Sequence, residues 1–414
     1  MTNVSADARS EMVAQIVSEL RGQILIPGRP SVVTIVRSAF YHDVVELRGR
    51  AQNYNWLGIN IVDWGEHHKR FLPPKILAQL GHFRFTGPEY EPYWEAAKDF
   101  SKELLSHLSR ELGVVAVLAA NFDYAVDEGL RRACRELPIP FVVLNREIPI
   151  LKSEREFYHS YYRNFPARPI VDGTAVGSEL TKQELIDANV LPADHIRVTG
   201  FPRLDPWINY LRNEPASEEL TSIVLLSYTD PDYRAGNNYW EMIHLFAAAS
   251  QRHANQSTRF IVKCKDSGDQ MDSEKLARGA PIDKLEFTHR STFKEIAQAR
   301  VVIGYNSLAF AEALLSRASL LTPQWGPCHT SESDQLFWRE NPAHRAQITF
   351  LEGPEHLAAR IDAAVAGERA VVDIDARIKL LQEIIHFDPR RPASLAVEAF
   401  VDHYVMQRRQ GFVD

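Results

Sequence analysis

Short β-branched runs alternate along the 414-residue chain with longer stretches whose apolar residues recur every three or four positions. In the first half the runs are "SVVTIVRS" (31–38), "WLGINIVDW" (56–64), "VVAVLAANF" (114–122), "PFVVLN" (140–145) and "RPIVDGTAVGS" (168–178). Each reads as a strand, and the stretches 92–112 and 125–136 between them read as helices. Ser178, followed by Glu179, predicts an N-capped helix start in "SELTKQELIDANV". A polar stretch at 207–220, "WINYLRNEPASEEL", interrupts the series as the tail of a helix and a linker. A second series follows: strands at 221–228, 258–265, 284–289, 301–306 and 319–325, with helices at 238–253, 292–299 and 307–317. Helical patterns at 354–366, 374–386 and 394–409 close the chain.

Strands alternating with helices predict βαβ units and parallel sheets. Two such series predict an α/β protein of two doubly wound domains facing a cleft. The boundaries are an N-terminal domain at 1–206, a linker at 207–220 and a second domain at 221–385. The segment 386–414 is expected to form a C-terminal helix packing back on the first domain. Ligands in such sheets bind beyond the carboxyl ends of the strands, so the polar residues just after each strand become the candidates for function.

Composition narrows the class. Hydrophobic residues make up 45% and charged residues 24% of the chain, an ordinary globular balance. The formal net charge of -7 gives no footprint for nucleic acid or an anionic membrane. Cys134, Cys264 and Cys328 are far apart and odd in number, which suits a reducing cytoplasm rather than a disulfide framework. The N-terminus "MTNVSADARSEMVAQIVSEL" lacks a signal-peptide core, and no apolar run is long enough to span a bilayer. A soluble intracellular protein is expected.

The strand ends carry the candidate chemistry. In "VVIGYNSLAFAEALL" an apolar strand gives way at Asn306 and Ser307 to an apolar helix that holds one carboxylate, Glu312. Asn306 and Ser307 suit either simple capping or an anion at the helix start. A buried Glu312 needs a partner, either a core cation or a ligand diol. Lys263 and Lys265 in "IVKCKD" fall on one face by period-two alternation, where an anion could lie between them. His289 and Ser291 follow another strand, and Ser227 and Tyr228 end the first strand of the second series. In the first domain Asp123 stands at a strand tip in "LAANFDYAVDEGL", and Arg146 and Glu147 stand at another in "VVLNREIP". An acid there could take a proton from an acceptor hydroxyl. No G-x-G-x-x-G after a strand, Walker loop, H-E-x-x-H or G-x-S-x-G occurs, so a substrate activated in advance fits better than a resident cofactor.

Two segments carry a resemblance. "AVGSELTKQELIDANVLPADHIRVTGFPRLD" and "FTHRSTFKEIAQARVVIGYNSLAFAEALL" resemble GT-B glycosyltransferases of bacterial surface and capsular polysaccharides, of the Kdo-transferase and polysaccharide glycerophosphotransferase types. The resemblance covers 170–326. It implies two Rossmann-like domains, with a nucleotide-sugar donor on the second: a strand-to-helix "NS" turn near phosphate and a helix glutamate, here Glu312, near ribose. Many relatives carry "K-x-H-P" where this chain has "VKCKD", so Lys265 would stand in place of that histidine; CMP-, UDP- and CDP-linked donors all remain open. The implied protein transfers a sugar to a glycan or lipid-linked acceptor without metal or cofactor, in the cytoplasm or peripheral to the inner membrane. Asp123 or Glu147 would be base or acceptor anchor. Ser227, Tyr228, Lys263, Lys265, His289, Ser291, Asn306, Ser307 and Glu312 would hold the donor. The rivals are a nucleotide-sugar 2-epimerase of the same fold and a non-catalytic glycan-assembly binding protein.

Overall fold

Apolar runs buried on both faces cannot sit at the surface of a sheet, and the chain pairs them as parallel strands covered by helices. The computed structural model describes residues 5–37, 40–77, 85–165, 169–213, 220–228, 238–265, 267–369 and 371–411. The chain divides into two units. One holds 1–148, 158–205 and 390–414, and the other 149–157 and 206–389.

The first unit contains β1 (Ser31–Val36), β2 (Asn55–Asn60), β3 (Val114–Ala119), β4 (Phe141–Asn145), β5 (Gly173–Val176) and β6 (Ile196–Val198). They form one sheet in the order β2-β1-β3-β4-β5-β6, and every pair is parallel. The direction of winding reverses between β1 and β3. The helix Glu91–Leu112 covers one face, burying Trp94, Ala97, Phe100, Leu104, Leu105 and Leu108 at helical spacing. It opens with Pro92 in its first turn and stops at Gly113, whose φ of 62° is left-handed. The neighbouring helix Glu128–Arg135 approaches so closely that a Cβ on Gly129 would lie 2.6 Å from the Ala97 carbonyl oxygen. The helix Ala393–Gly411 belongs to this unit. Asp205 caps it, accepting hydrogen bonds from the Ala393 and Ser394 amides at 2.6 and 3.0 Å.

The second unit contains β7 (Ser222–Leu226), β8 (Arg259–Lys263), β9 (Leu285–Thr288), β10 (Ala299–Ile303), β11 (Ser319–Pro323) and β12 (Thr349–Leu351). Its sheet runs β12-β11-β10-β7-β8-β9, again all parallel, with the reversal between β7 and β10. Counted from β7 this is the dinucleotide-fold order 3-2-1-4-5-6. The expected α/β class with two doubly wound parallel sheets is therefore the observed architecture.

Local corrections concern strand and helix ends. The run 56–64 is a strand only to Asn60, whose side chain then accepts from the Val62 amide and starts the helix Ile61–His68. Residue 168 of the run 168–178 lies outside the described residues, and among the described ones only Gly173–Val176 is strand. The helix expected at 307–317 is five residues long, Leu308–Glu312, and tightens into a 3-10 turn at Ala313–Leu315. β6, β12 and the helix Lys152–Arg163 were not expected from the pattern. β6 and β12 are three residues each, too short to show an alternation.

Candidate functional site

In an open parallel sheet the loops at the point of reversed winding separate and leave a crevice. In the second unit these are the loops after β7 and β10, which carry Ser227, Tyr228 and Gly304–Ser307. Glu312 lies one turn further, only 7% exposed. Its Oε1 accepts the indole N–H of Trp207 at 2.9 Å. Trp207 is fully buried on the helix Asp205–Asn213, edge-on to Phe293 and Tyr210 with centroids at 4.9 and 5.1 Å. The carboxylate is thus oriented by a neutral donor, a partner that sequence reasoning did not consider. Nothing in "DPWINYL" marks that tryptophan as reaching a residue 105 positions away.

Lys263 ends β8 and is 8% exposed, its ammonium turned onto the Cys264 carbonyl. Burial pushes its pKa down, while Cys264, Glu312, Asp269 and Glu295 push it up. Lys265 does not share that face. The strand stops at Lys263, the chain turns, and Lys265 is exposed, its backbone N–H donating to Asp269 Oδ2 at 2.7 Å. The same Asp269 oxygen accepts the Ser227 hydroxyl.

Other candidates have structural duties. Tyr228 is a core side chain, with its hydroxyl on Asn238 Oδ1 at 3.0 Å and its ring against Tyr239 and Tyr305. Asn306, at a left-handed φ of 32°, pairs with a facing loop. Its amide donates to the Asp334 carbonyl at 2.7 Å and accepts from the Leu336 amide at 2.8 Å. Ser307 caps its short helix through the Phe310 amide at 3.1 Å, and Ser291 caps Thr292–Ile296 through the Lys294 amide at 3.4 Å. His289 is exposed, with Nδ1 3.5 Å from Gln270 Oε1. The second sheet's edge therefore gathers Ser227, Lys263, Asp269 and Glu312 around its point of reversal, with Lys265 and His289 outside.

In the first unit β1, β3 and β4 lie side by side, and their tips bring together Arg37, Asp123, Tyr124, Arg146 and Glu147. Asp123 Oδ2 accepts the Tyr161 hydroxyl at 3.2 Å. Burial, with Glu147 adding to it, raises the Asp123 pKa to about 6 against the pull of Arg131 and Tyr161. Glu147 Oε1 accepts from the Tyr124 hydroxyl at 3.3 Å and from Arg146 Nε at 3.2 Å. Arg146 and Glu147, adjacent in sequence, therefore pair with each other. Tyr124 was missed because an aromatic residue near a strand end looks like ordinary core, Tyr161 because its helix Lys152–Arg163 was not expected, and Arg37 because a lone arginine after a strand looks like a surface residue.

The segment "VTGFPRLD" proves to be a structural stitch. Gly177 admits the Phe201 ring, which a Cβ would meet at 2.2 Å. Arg203 donates through its amide and Nη1 to the buried Asp43 at 3.0 and 3.3 Å, and Asp205 caps the C-terminal helix. Among the described residues no group of three or more His, Cys, Asp or Glu could hold a metal ion, and no helix is long and apolar enough to cross a membrane.

No family model matches the chain, and no curated protein matches it in sequence. Among solved structures it is similar to a Listeria monocytogenes protein assigned as a UDP-N-acetylglucosamine 2-epimerase. The identity is 11%, with 91% of this chain and 97% of that chain covered and a TM-score of 0.49. It is also similar to a UDP-GlcNAc 2-epimerase from Neisseria meningitidis bound to UDP-GlcNAc (10% identity, 90% and 100% covered, TM-score 0.44). A glycosyltransferase from Rickettsia africae gives 11% identity, 93% and 98% covered and a TM-score of 0.44. Likenesses this distant assign neither substrate nor reaction.

Proposed function

We propose that the protein is a glycosyltransferase that moves a sugar from a nucleotide-sugar donor to an acceptor hydroxyl on a glycan or lipid-linked glycan. The observation that carries this reading is Glu312, a carboxylate buried at the winding reversal of the second sheet and oriented by Trp207. A carboxylate in that place suits the two hydroxyls of a ribose, which donate to its oxygens in charge-assisted bonds. Lys265 and His289, outside the buried set, suit the donor's phosphates.

On the acceptor side Asp123 serves as base. An acid with a pKa near 6 is ionised at neutral pH yet basic enough to accept a proton in the transition state. The acceptor hydroxyl gives its proton to Asp123, and its oxygen forms the new bond to the anomeric carbon. The bond from that carbon to the donor phosphate breaks, and the nucleotide leaves with the electron pair, its growing charge met by the Lys265 ammonium and by hydrogen bonding from His289.

A second reading has its own support. Asp123 and Glu147 both lie in the cluster around Tyr124 and Tyr161, and paired acids of this kind also suit proton removal and return at a sugar carbon, as a nucleotide-sugar 2-epimerase requires. The full-length protein incubated with CMP-, UDP- and CDP-sugars, with and without glycan acceptors, separates the readings. Acceptor-dependent release of nucleotide, lowered about 10²- to 10⁴-fold in Asp123→Asn, is the expected result. Conversion of the sugar without acceptor transfer would favour the epimerase, and binding without turnover a non-catalytic role. Failure to bind any nucleotide sugar would overturn both enzyme readings.

A further inference from the structure

We propose that the carboxyl edge of the first sheet is an anion subsite, in which Arg37 and Arg146 bind a phosphate or carboxylate group carried by the acceptor. That the anion belongs to an acceptor rests on the transferase reading above; the binding of an anion does not.

The sheet order is the first support. β3 lies between β1 and β4, so the loop after β3 rises between the two arginines that follow its neighbours. That loop places Tyr124, 5% exposed, as a shared wall. The Arg37 guanidinium lies over the Tyr124 ring, with Cζ 3.8 Å from the centroid. The Tyr124 hydroxyl and Arg146 Nε meet on one oxygen of Glu147. Two planar cations thus flank one phenol at the point where winding reverses, the place such sheets use for ligands.

The second support is what Arg37 lacks. Its Nε and Nη2 are buried and make no hydrogen bond. The nearest carboxylate oxygen, Asp127 Oδ2, is 3.9 Å away, too far for a hydrogen bond. A guanidinium has five donors, and leaving those on Nε and Nη2 buried and unused is costly. The aromatic face offsets part of that cost, and its flat fork fits the paired oxygens of phosphate or carboxylate.

The other two arginines of this edge are already matched: Arg131 pairs with Glu128 at 2.6 Å and Arg203 with Asp43 at 3.3 Å. The alternative is that Asp127 and Glu147 fully satisfy the two arginines and no ligand is required.

The test uses the full-length protein and two probes, inorganic phosphate and acetate, titrated by calorimetry at constant ionic strength. Wild-type protein should bind at least one of them saturably. Arg37→Gln and Arg146→Gln should each weaken that binding about tenfold or more, the loss expected for one charge-assisted bond. Arg110→Gln, on an exposed helix position, should change nothing. Arg37→Lys keeps the charge under Tyr124 without the fork; it should fold as wild type and still bind more weakly. No saturable binding, or unchanged binding in folded Arg37→Gln and Arg146→Gln proteins, overturns the proposal. Repeating the titration with the protein saturated by its nucleotide assigns the anion: continued phosphate binding fits an acceptor group, whereas competition would show that the subsite serves the nucleotide and refute the acceptor assignment. A protein that binds no nucleotide yet shows the arginine-dependent phosphate site would reject the transferase reading and keep the subsite.

Discussion

Replacing Glu312 by glutamine separates a ligand-binding carboxylate from a structural one. The amide oxygen can still accept the Trp207 N–H, which lies at 2.9 Å in the wild type, so the helix Asp205–Asn213 keeps that contact. Lys263 loses one carboxylate from its surroundings but retains Asp269 and Glu295. The net change in stability should therefore stay within about 1–2 kcal/mol, well short of the 3–5 kcal/mol that follows when a buried cation loses its only partner. Trp207→Phe is the more damaging change. It removes a hydrogen bond to a buried charge, worth about 1.5–3 kcal/mol, and leaves a gap against Phe293 and Tyr210. Nucleotide affinity should behave in the opposite order, falling ten- to a hundredfold in Glu312→Gln through loss of charged bonds to the ribose. Denaturant melts and calorimetric titration on both single variants and the double variant give the coupling, expected at about 1–2 kcal/mol. A Glu312→Gln protein that binds nucleotide as wild type would refute the ribose role, and one that is sharply destabilised would make Lys263 its structural partner.

Three further outcomes follow from the same geometry. If Asp123 is the base, kcat/KM should rise with pH up to about 6 and then level, because only the ionised acid accepts a proton; Asp123→Asn should be slow and flat across that range. Asp205 has its pKa raised by burial from the ordinary 3.8 to about 6, so its proton favours the folded state. Its stabilisation is complete below pH 3.8 and lost as pH rises through about 6, and Asp205→Asn should remove roughly 2–3 kcal/mol of that pH dependence in melts. Arg377, 2% exposed, donates to the carbonyls of Ser316, Ala318 and Gln347 at 2.9, 2.9 and 3.2 Å. Arg377→Leu should cost about 2–4 kcal/mol in urea unfolding, since three buried acceptors lose their donor while a costly buried charge is relieved; an unchanged midpoint would refute this.

The alternation of apolar runs carried the fold because a parallel strand must be apolar along its whole length, a signal that survives without partners. β1, β3, β4, β7, β8 and β10 are the runs that show it. Strand ends were less legible. Asn60 and Lys263 end their strands through a side-chain cap and a turn, neither of which alters the apolar pattern before them. Candidate residues placed by strand-end position alone fell into two groups. Asp123, Glu147 and Glu312 do stand at winding reversals or beside them, whereas Tyr228 and Asn306 turn inward to hold the core and a facing loop. Backbone position was readable, but side-chain direction depends on partners such as Asn238, Asp334 and Trp207 that are distant in sequence.

Hydrogen exchange with and without the nucleotide that binds tests the central claim most directly, since a bound ligand slows exchange in the loops it touches. Protection should concentrate in the second unit, at the segments around Ser227, Lys265 and Tyr305–Glu312, with the loop around Asp123 unaffected by nucleotide alone. Protection confined to the first unit, or none at any of these segments despite measured binding, would contradict the assignment of the donor site.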